Sequence, residues 1–227
     1  SVEWVRANWD REDEGVWEVR GGRRKFLYSR LMDWVALDRA LRIAERRSLP
    51  APVAEWRAER DRIHAEIHGR FFDEEMRVFV QYRDSRVLDA SCLLMPLVGF
   101  IGPRDPRWLS TIDAIGETLV DDSLVYRYRT DEAASDGLEG TEGTFSMCTF
   151  WYVDCLARAG RTEEARLIFE KMLHYAGPLG LYGEELGPTG EHLGNYPQAF
   201  THLGLVGAAR SLDRALDRAD APESVDA

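Results

Sequence analysis

Phe145-Ser146-Met147-Cys148-Thr149-Phe150-Trp151-Tyr152-Val153-Asp154-Cys155-Leu156-Ala157-Arg158-Ala159-Gly160 runs directly into Arg161-Thr162-Glu163-Glu164-Ala165-Arg166-Leu167-Ile168-Phe169-Glu170-Lys171-Met172. The first run predicts a helix over Phe145 to Ala159 that closes on Gly160, since glycine takes the left-handed C-terminal conformation without a steric penalty. Thr162 is placed to cap the next helix. Its apolar stripe is Ala165, Ile168, Phe169 and Met172, and Gly177-Pro178 ends it. Helices joined by so short a turn run antiparallel.

The same periodicity extends in both directions. Upstream, Leu27, Leu31, Trp34, Val35 and Leu41 mark a helix over about Phe26 to Arg47, and Pro50 and Pro52 separate it from a second. That second helix carries Trp56, Ile63 and Ile67 to about Phe71. A third is expected from about Leu88 to Phe100, broken by Gly102-Pro103, and a fourth from Pro106 to about Val120. Downstream, Asn195 with Gln198 reads as a capping-box variant with Pro197 in the first turn of a final helix to about Leu216. Gly204, Gly207 and Ala208 within it imply close helix approach. The expected fold is all-α, about seven antiparallel helices in one unit over 1–218, with a frayed tail at 219–227.

Connector lengths alternate. The stretches at about 8–25, 73–87, 121–144 and 177–194 are long, and those between are short turns. In an antiparallel array, alternate connectors fall at opposite ends, so all four long loops should gather at one end. Long ordered loops in a compact domain are usually functional.

Composition narrows the function. Lys plus Arg is 29 against 40 Asp plus Glu, a net charge of -11, which argues against nucleic acid and anionic membrane surfaces as partners. The longest apolar run, Ala90 to Gly102, is too short to span a bilayer and contains Pro96. Cys92, Cys148 and Cys155 are too few for a disulfide framework, and a reducing, cytoplasmic setting is expected. The start at Ser1, with no signal peptide, is read as that of a fragment or processed chain.

The loops hold the chemistry. The first reads Asp13-Glu14-Gly15-Val16-Trp17-Glu18-Val19-Arg20-Gly21-Gly22, and the fourth Gly180-Leu181-Tyr182-Gly183-Glu184-Glu185-Leu186-Gly187-Pro188. The third contributes Arg127-Tyr128-Arg129 and Gly137-Leu138-Glu139-Gly140-Thr141-Glu142-Gly143. Opposed carboxylates with aromatics to stack on a sugar face are what glycosidic cleavage needs: an acid for the leaving oxygen and a base for water. An aromatic wall would hold the acid protonated near neutrality. By spacing alone, a single glutamate in so acidic a chain reads first as a solvated loop residue.

Longer motifs go further. Gly15-Val16-Trp17-Glu18-Val19-Arg20-Gly21 with Tyr28-Ser29-Arg30-Leu31-Met32-Asp33-Trp34 resembles glycoside hydrolase family 15. So do Glu142-Gly143-Thr144-Phe145 and Leu181-Tyr182-Gly183-Glu184-Glu185 followed by Leu193-Gly194-Asn195-Tyr196-Pro197-Gln198-Ala199-Phe200-Thr201-His202. The family holds glucoamylases, glucodextranases and bacterial trehalases on an (α/α)6 toroid. The resemblance implies an exo-acting, inverting hydrolysis of α-glucosidic bonds, with Glu18 as general acid and Glu184 as general base. It further implies that Arg127 binds sugar hydroxyls, that Trp17 and Tyr182 flank the pocket, and that Glu142 and Glu185 orient or hydrogen-bond. Inversion implies carboxyl groups roughly 6.5–9.5 Å apart. Seven helices match only the C-terminal part of such a toroid. An exposed apolar edge is therefore expected, open to self-association, and the isolated chain should be inactive or dependent on a second chain. No metal or cofactor is implied.

Other constellations read as structural. His64 and His68, four apart, are expected on a solvated helix face rather than on a metal. Cys148 and Cys155 are expected to pack as small apolar groups, and His202 is read as structural more than as a pocket residue. Leu156 to Ala165 reads superficially like a tetratricopeptide helix pair, the signature of a non-catalytic helical-repeat module, but no second copy recurs.

Overall fold

Leu27 to Arg47 runs 21 residues without glycine or proline, and Leu27, Leu31, Trp34, Leu37, Leu41 and Ala44 bury one face of it. In the computed structural model, which describes residues 2–19, 21–129 and 142–220, this is α2. It packs on α3 (Val53–Arg70) and on α1 (Val2–Asn8), a short helix that the sequence reading left unassigned. The expected third helix is instead a 3-10 turn over Ala90–Leu93 and a single turn, α4 (Leu94–Leu97). Pro96 has no N–H to continue the ladder, and Gly99 at φ 78° turns the chain away. Then come α5 (Pro106–Thr118), α6 (Ser146–Ala159), α7 (Thr162–His174) and α8 (Ala199–Asp220).

The core centres on α6, whose buried residues run almost unbroken from Ser146 to Ala157. It is covered by α7 and α8, and by the 3-10 turn with α4. Gly160 closes α6 at φ 91°, with its N–H on the Ala157 carbonyl, as predicted. The caps of the next two helices differ from expectation. Thr162 is the first residue of α7 and makes no capping bond, leaving Glu163 and Glu164 to face the helix dipole. Pro197 precedes α8, and Gln198 caps it by accepting from the Thr201 N–H at 2.9 Å. Asn195 is engaged elsewhere. Close approach of α8 to α6 is as expected: a Cβ on Gly204 would sit 3.2 Å from Phe150 Cβ.

Three of the four long connectors form two-residue strands, and the first is closed by an isolated bridge between Asp13 and Arg24. A hairpin pairs β1 (Phe72–Asp73) with β2 (Val78–Phe79), and another pairs β3 (Val120–Asp121) with β4 (Leu124–Val125). A three-stranded antiparallel sheet orders β5 (Thr144–Phe145), β6 (Glu185–Leu186) and β7 (His192–Leu193), with Phe145 opposite Glu185. The first loop bonds to the second through Leu27 N–H to the Gln81 carbonyl, at 2.9 Å. The third is tied to the 3-10 turn through Ala90 N–H to the Arg127 carbonyl, at 2.8 Å. Gly137 to Thr141 of the third loop, Arg20, and residues 221–227 of the expected tail lie outside the described residues.

Candidate active site

Glu18 occupies a tight turn with its N–H on the Gly15 carbonyl at 3.3 Å and φ of 52°, left-handed for a residue with a Cβ, and its side chain is exposed. Such a conformation costs about 1 kcal/mol or more and tends to persist where the surroundings enforce it. The residue before Glu18, Trp17, is held from two sides. Its indole N–H lies 3.1 and 3.0 Å from the two carboxylate oxygens of Asp89, and its ring meets Phe145 edge-on at 5.6 Å.

Arg127 lies against the same aromatic group. Its guanidinium carbon is 5.8 Å from the Trp17 ring, 5.2 Å from Phe145 and 4.7 Å from Tyr128. Nε donates to Glu142 Oε2 at 2.7 Å and Nη2 to Oε1, a two-pronged pair that fixes the guanidinium plane. Glu185, opposite Phe145 in the sheet, accepts the Gly143 N–H at 3.0 Å. Burial is the main force raising its pKa, and the charges of Glu142 and Glu184 add to it.

Glu184 is held by the segment after β7. Its Oε2 accepts from the Asn195 backbone N–H at 3.1 Å and from Asn195 Nδ2 at 3.0 Å. Its own N–H donates to the Asn195 carbonyl at 3.0 Å. Gly194, at φ 70°, is required here, because a Cβ would stand 2.6 Å from that Oε2. Among the described residues the other oxygen, Oε1, has a single 3.5 Å contact, with Gln198 Nε2, which leaves it room for a small polar ligand.

Trp17, Arg127, Glu142 and Glu185 are thus brought together, with Glu18 and Glu184 each adjacent in sequence to a member of the group. Tyr182 is not part of it. The ring is 1% exposed among Phe150 of α6, Met172 of α7 and His202 of α8, and its hydroxyl donates to the Met172 carbonyl at 3.0 Å. The ring fills the space between three helices, so packing is the role its surroundings support.

His64 and His68 also depart from expectation. Their rings lie 4.4 Å apart and pack on Phe100, half-buried, instead of facing solvent. Cys148 and Cys155 are free and buried, as expected, with Cys155 Sγ donating to the Leu93 carbonyl. His202 turns its Nδ1 to the Gln198 carbonyl at 2.8 Å. Among the described residues no group of three or more His, Cys, Asp or Glu could hold a metal ion, and no helix is long and apolar enough to cross a membrane.

Asp89 and Asn195 are the partners that sequence reasoning missed. Asp89 lay inside a segment expected to be helix, although an Asp two residues before Ser91 is the spacing of a turn cap. Asn195 was read as a cap.

Helical hairpins laid side by side, with acidic loops at one end, make this chain part of an (α/α)6 toroid. The fold superposes on a wild-type glycosidase with a TM-score of 0.79, at 21% identity over 93% of this chain and 58% of that one. It superposes on a bacterial glucoamylase complexed with acarbose at 0.77, with 16% identity over 97% of this chain and 39% of that one. At such identities the likeness is one of fold. Sequence goes further: the chain belongs to the glycosyl hydrolases family 15, whose profile matches residues 1–210. It is 45% identical over 220 residues to a trehalase of Mycobacterium tuberculosis, covering 96% of this chain and 32% of that protein. It is 40% identical over 210 residues to a trehalase of Thermoplasma volcanium, covering 92% and 33%. The chain spans about a third of the length of these relatives. Family membership displaces the helical-repeat reading.

Proposed function

We propose that this chain carries the acid and base of an exo-acting, inverting α-glucoside hydrolase, with trehalose the first substrate to try. Glu18 donates its proton to the glycosidic oxygen as the bond to the anomeric carbon breaks. Glu184 accepts a proton from a water whose oxygen attacks that carbon from the opposite face. Arg127, oriented by Glu142, binds sugar hydroxyls. Trp17 offers its ring to a sugar face, and Glu185 orients the neighbouring Glu184. No step requires a metal or cofactor.

One contact path supports the reading above all. The Trp17 ring meets Phe145 at 5.6 Å, Phe145 pairs with Glu185, and the carbonyl of Glu184 accepts the Ser146 N–H at 3.0 Å. The two proposed carboxylates therefore belong to one loop cluster although 166 positions separate them in sequence. Three buried free thiols suit a reducing compartment, and we assign the protein to the cytoplasm. The α8 edge described below is assigned to self-association of the isolated chain.

The test is hydrolysis of trehalose, maltose, isomaltose and dextrin by the natural polypeptide that carries this sequence, with the product anomer read by NMR. Glu18→Gln and Glu184→Gln should each lower kcat by roughly 10²–10⁴-fold. Wild-type turnover in either variant overturns its assignment. The isolated 227 residues should be inactive, and robust turnover would remove that expectation.

A further inference from the structure

We propose that Asp89 is the positioning residue of this site, a buried carboxylate that clamps the Trp17 indole and so sets the direction of Glu18. The inference rests on Glu18 being the acid. Asp89 is 2% exposed and collects donors from three separate segments. Oδ1 lies 2.6 Å from the Ser91 N–H and 3.1 Å from Trp17 Nε1. Oδ2 lies 2.8 Å from Gln81 Nε2 and 3.0 Å from the same indole nitrogen.

A cap on the 3-10 turn needs only the Ser91 bond, which an exposed Asp or Ser would supply as well. Burying a carboxylate is costly unless its oxygens are matched by donors, and here two of the donors come from the long loops. Trp17 as a residue is half-buried, but the edge that carries its N–H meets a carboxylate that is itself buried. The clamp therefore fixes the direction of the indole as it pairs the two groups. It also reaches the sugar-binding arginine: the residue after Asp89, Ala90, donates its N–H to the Arg127 carbonyl at 2.8 Å. The Arg127 guanidinium then lies 5.8 Å from the indole ring that Asp89 holds by its edge. One short segment, 89–90, thus ties down both the ring beside the acid and the backbone of the arginine. Burial raises the Asp89 carboxyl while the Ser91, Trp17 and Gln81 donors lower it, a balance that loss of the indole bond would disturb.

The test uses the natural polypeptide with Asp89→Asn, Trp17→Phe and the double variant, each shown folded by circular dichroism. Asp89→Asn should lower kcat roughly 10- to 100-fold with KM moved less than about threefold, because alignment and not affinity is lost. In the Trp17→Phe background, which lacks the clamped N–H, the same change should cost nothing further. Losses that multiply in the double variant overturn the proposal, as does a 5-fluorotryptophan NMR signal of Trp17 unmoved by Asp89→Asn. If Asp89→Asn does not fold, Trp17→Phe alone decides: kcat must fall, and an unchanged kcat ends the case. Glu18→Gln separates the two readings. Retained turnover there defeats the acid assignment, whereas abolished turnover with multiplying losses defeats only the role of Asp89.

Discussion

A half-buried imidazole stacked on a phenyl ring has little to gain from a second proton. His68 lies parallel to Phe100 at 5.2 Å, with Phe79 edge-on and His64, Arg107 and Asp105 as its charged or titratable neighbours. Burial first, then His64 and Arg107, push its pKa down to about 4, with Asp105 opposing. The fold thus favours the neutral ring. That contribution is complete above pH 6.5, where the unfolded ring is also neutral, and is lost as pH falls from 6.5 toward 4. Asp33, raised by burial to about 6, acts with the opposite sign, regaining stability as pH falls through 6. Comparison with His68→Gln cancels Asp33, which both proteins share. Between pH 7 and pH 5 the wild type should lose about 1 kcal/mol relative to the variant in urea unfolding, allowing for the part of the ring that stays wet. Parallel pH profiles would refute this. At Tyr182, replacement by Phe should cost about 1 kcal/mol through the lost bond to the Met172 carbonyl and leave KM unchanged. A raised KM would return Tyr182 to the sugar site. The two positions share a lesson. The Trp17-Glu18 and Glu184-Glu185 steps stand out only through the longer motifs that contain them, whereas the surroundings of Tyr182, His68 and Asp89 are made by residues from distant segments.

Among the elements, α6 and α8 show what patterning conveys and where it stops. Both were readable: α6 from its apolar run and Gly160, and α8 from the Asn195, Pro197 and Gln198 start signal. Gly204, Gly207 and Ala208 implied a close helix approach, and the structure makes α6 the partner. A Cβ on Gly204 would press on Phe150 at 3.2 Å and one on Gly207 would reach Asp154 Oδ2 at 3.5 Å, while Ala208 is fully buried. Gly204→Leu should therefore force the helices apart and cost about 1–3 kcal/mol, read as a lower thermal midpoint. An unchanged midpoint would show that the pair has room to spare. The expected helix over 88–100 failed because an apolar run cannot by itself distinguish a regular helix from a buried turn. Pro96 was read as an interruption to a membrane span, yet it also limits the helix. The two-residue strands were invisible for a different reason. Each is stabilised by its partner across a loop, so no period-2 pattern has room to form.

Among the described residues, one face of α8 stands uncovered. Phe200, Leu203 and Val206 stand 65%, 68% and 65% exposed along α8, beside a groove of 300 Å³ lined also by Leu97, Met147 and Trp151. A net charge of -11 tends to keep copies apart, but three large apolar side chains in a row are rarely left in water. Burying them removes enough apolar surface to be worth several kcal/mol, at about 1.5–3 kcal/mol per side chain. In the isolated 227-residue chain, a second copy is the cover available. Sedimentation should therefore show association that rises with concentration. Leu203→Glu combined with Phe200→Glu should return the chain to monomer while barely changing its melting temperature, because neither side chain is in the core. A longer polypeptide containing this sequence should answer differently. If further toroid helices cover α8 there, in keeping with relatives about three times as long, the same double substitution should lower its stability and leave its sedimentation alone. A monomeric wild-type fragment at all concentrations would show that α8 tolerates water, and the edge would then carry no association at all.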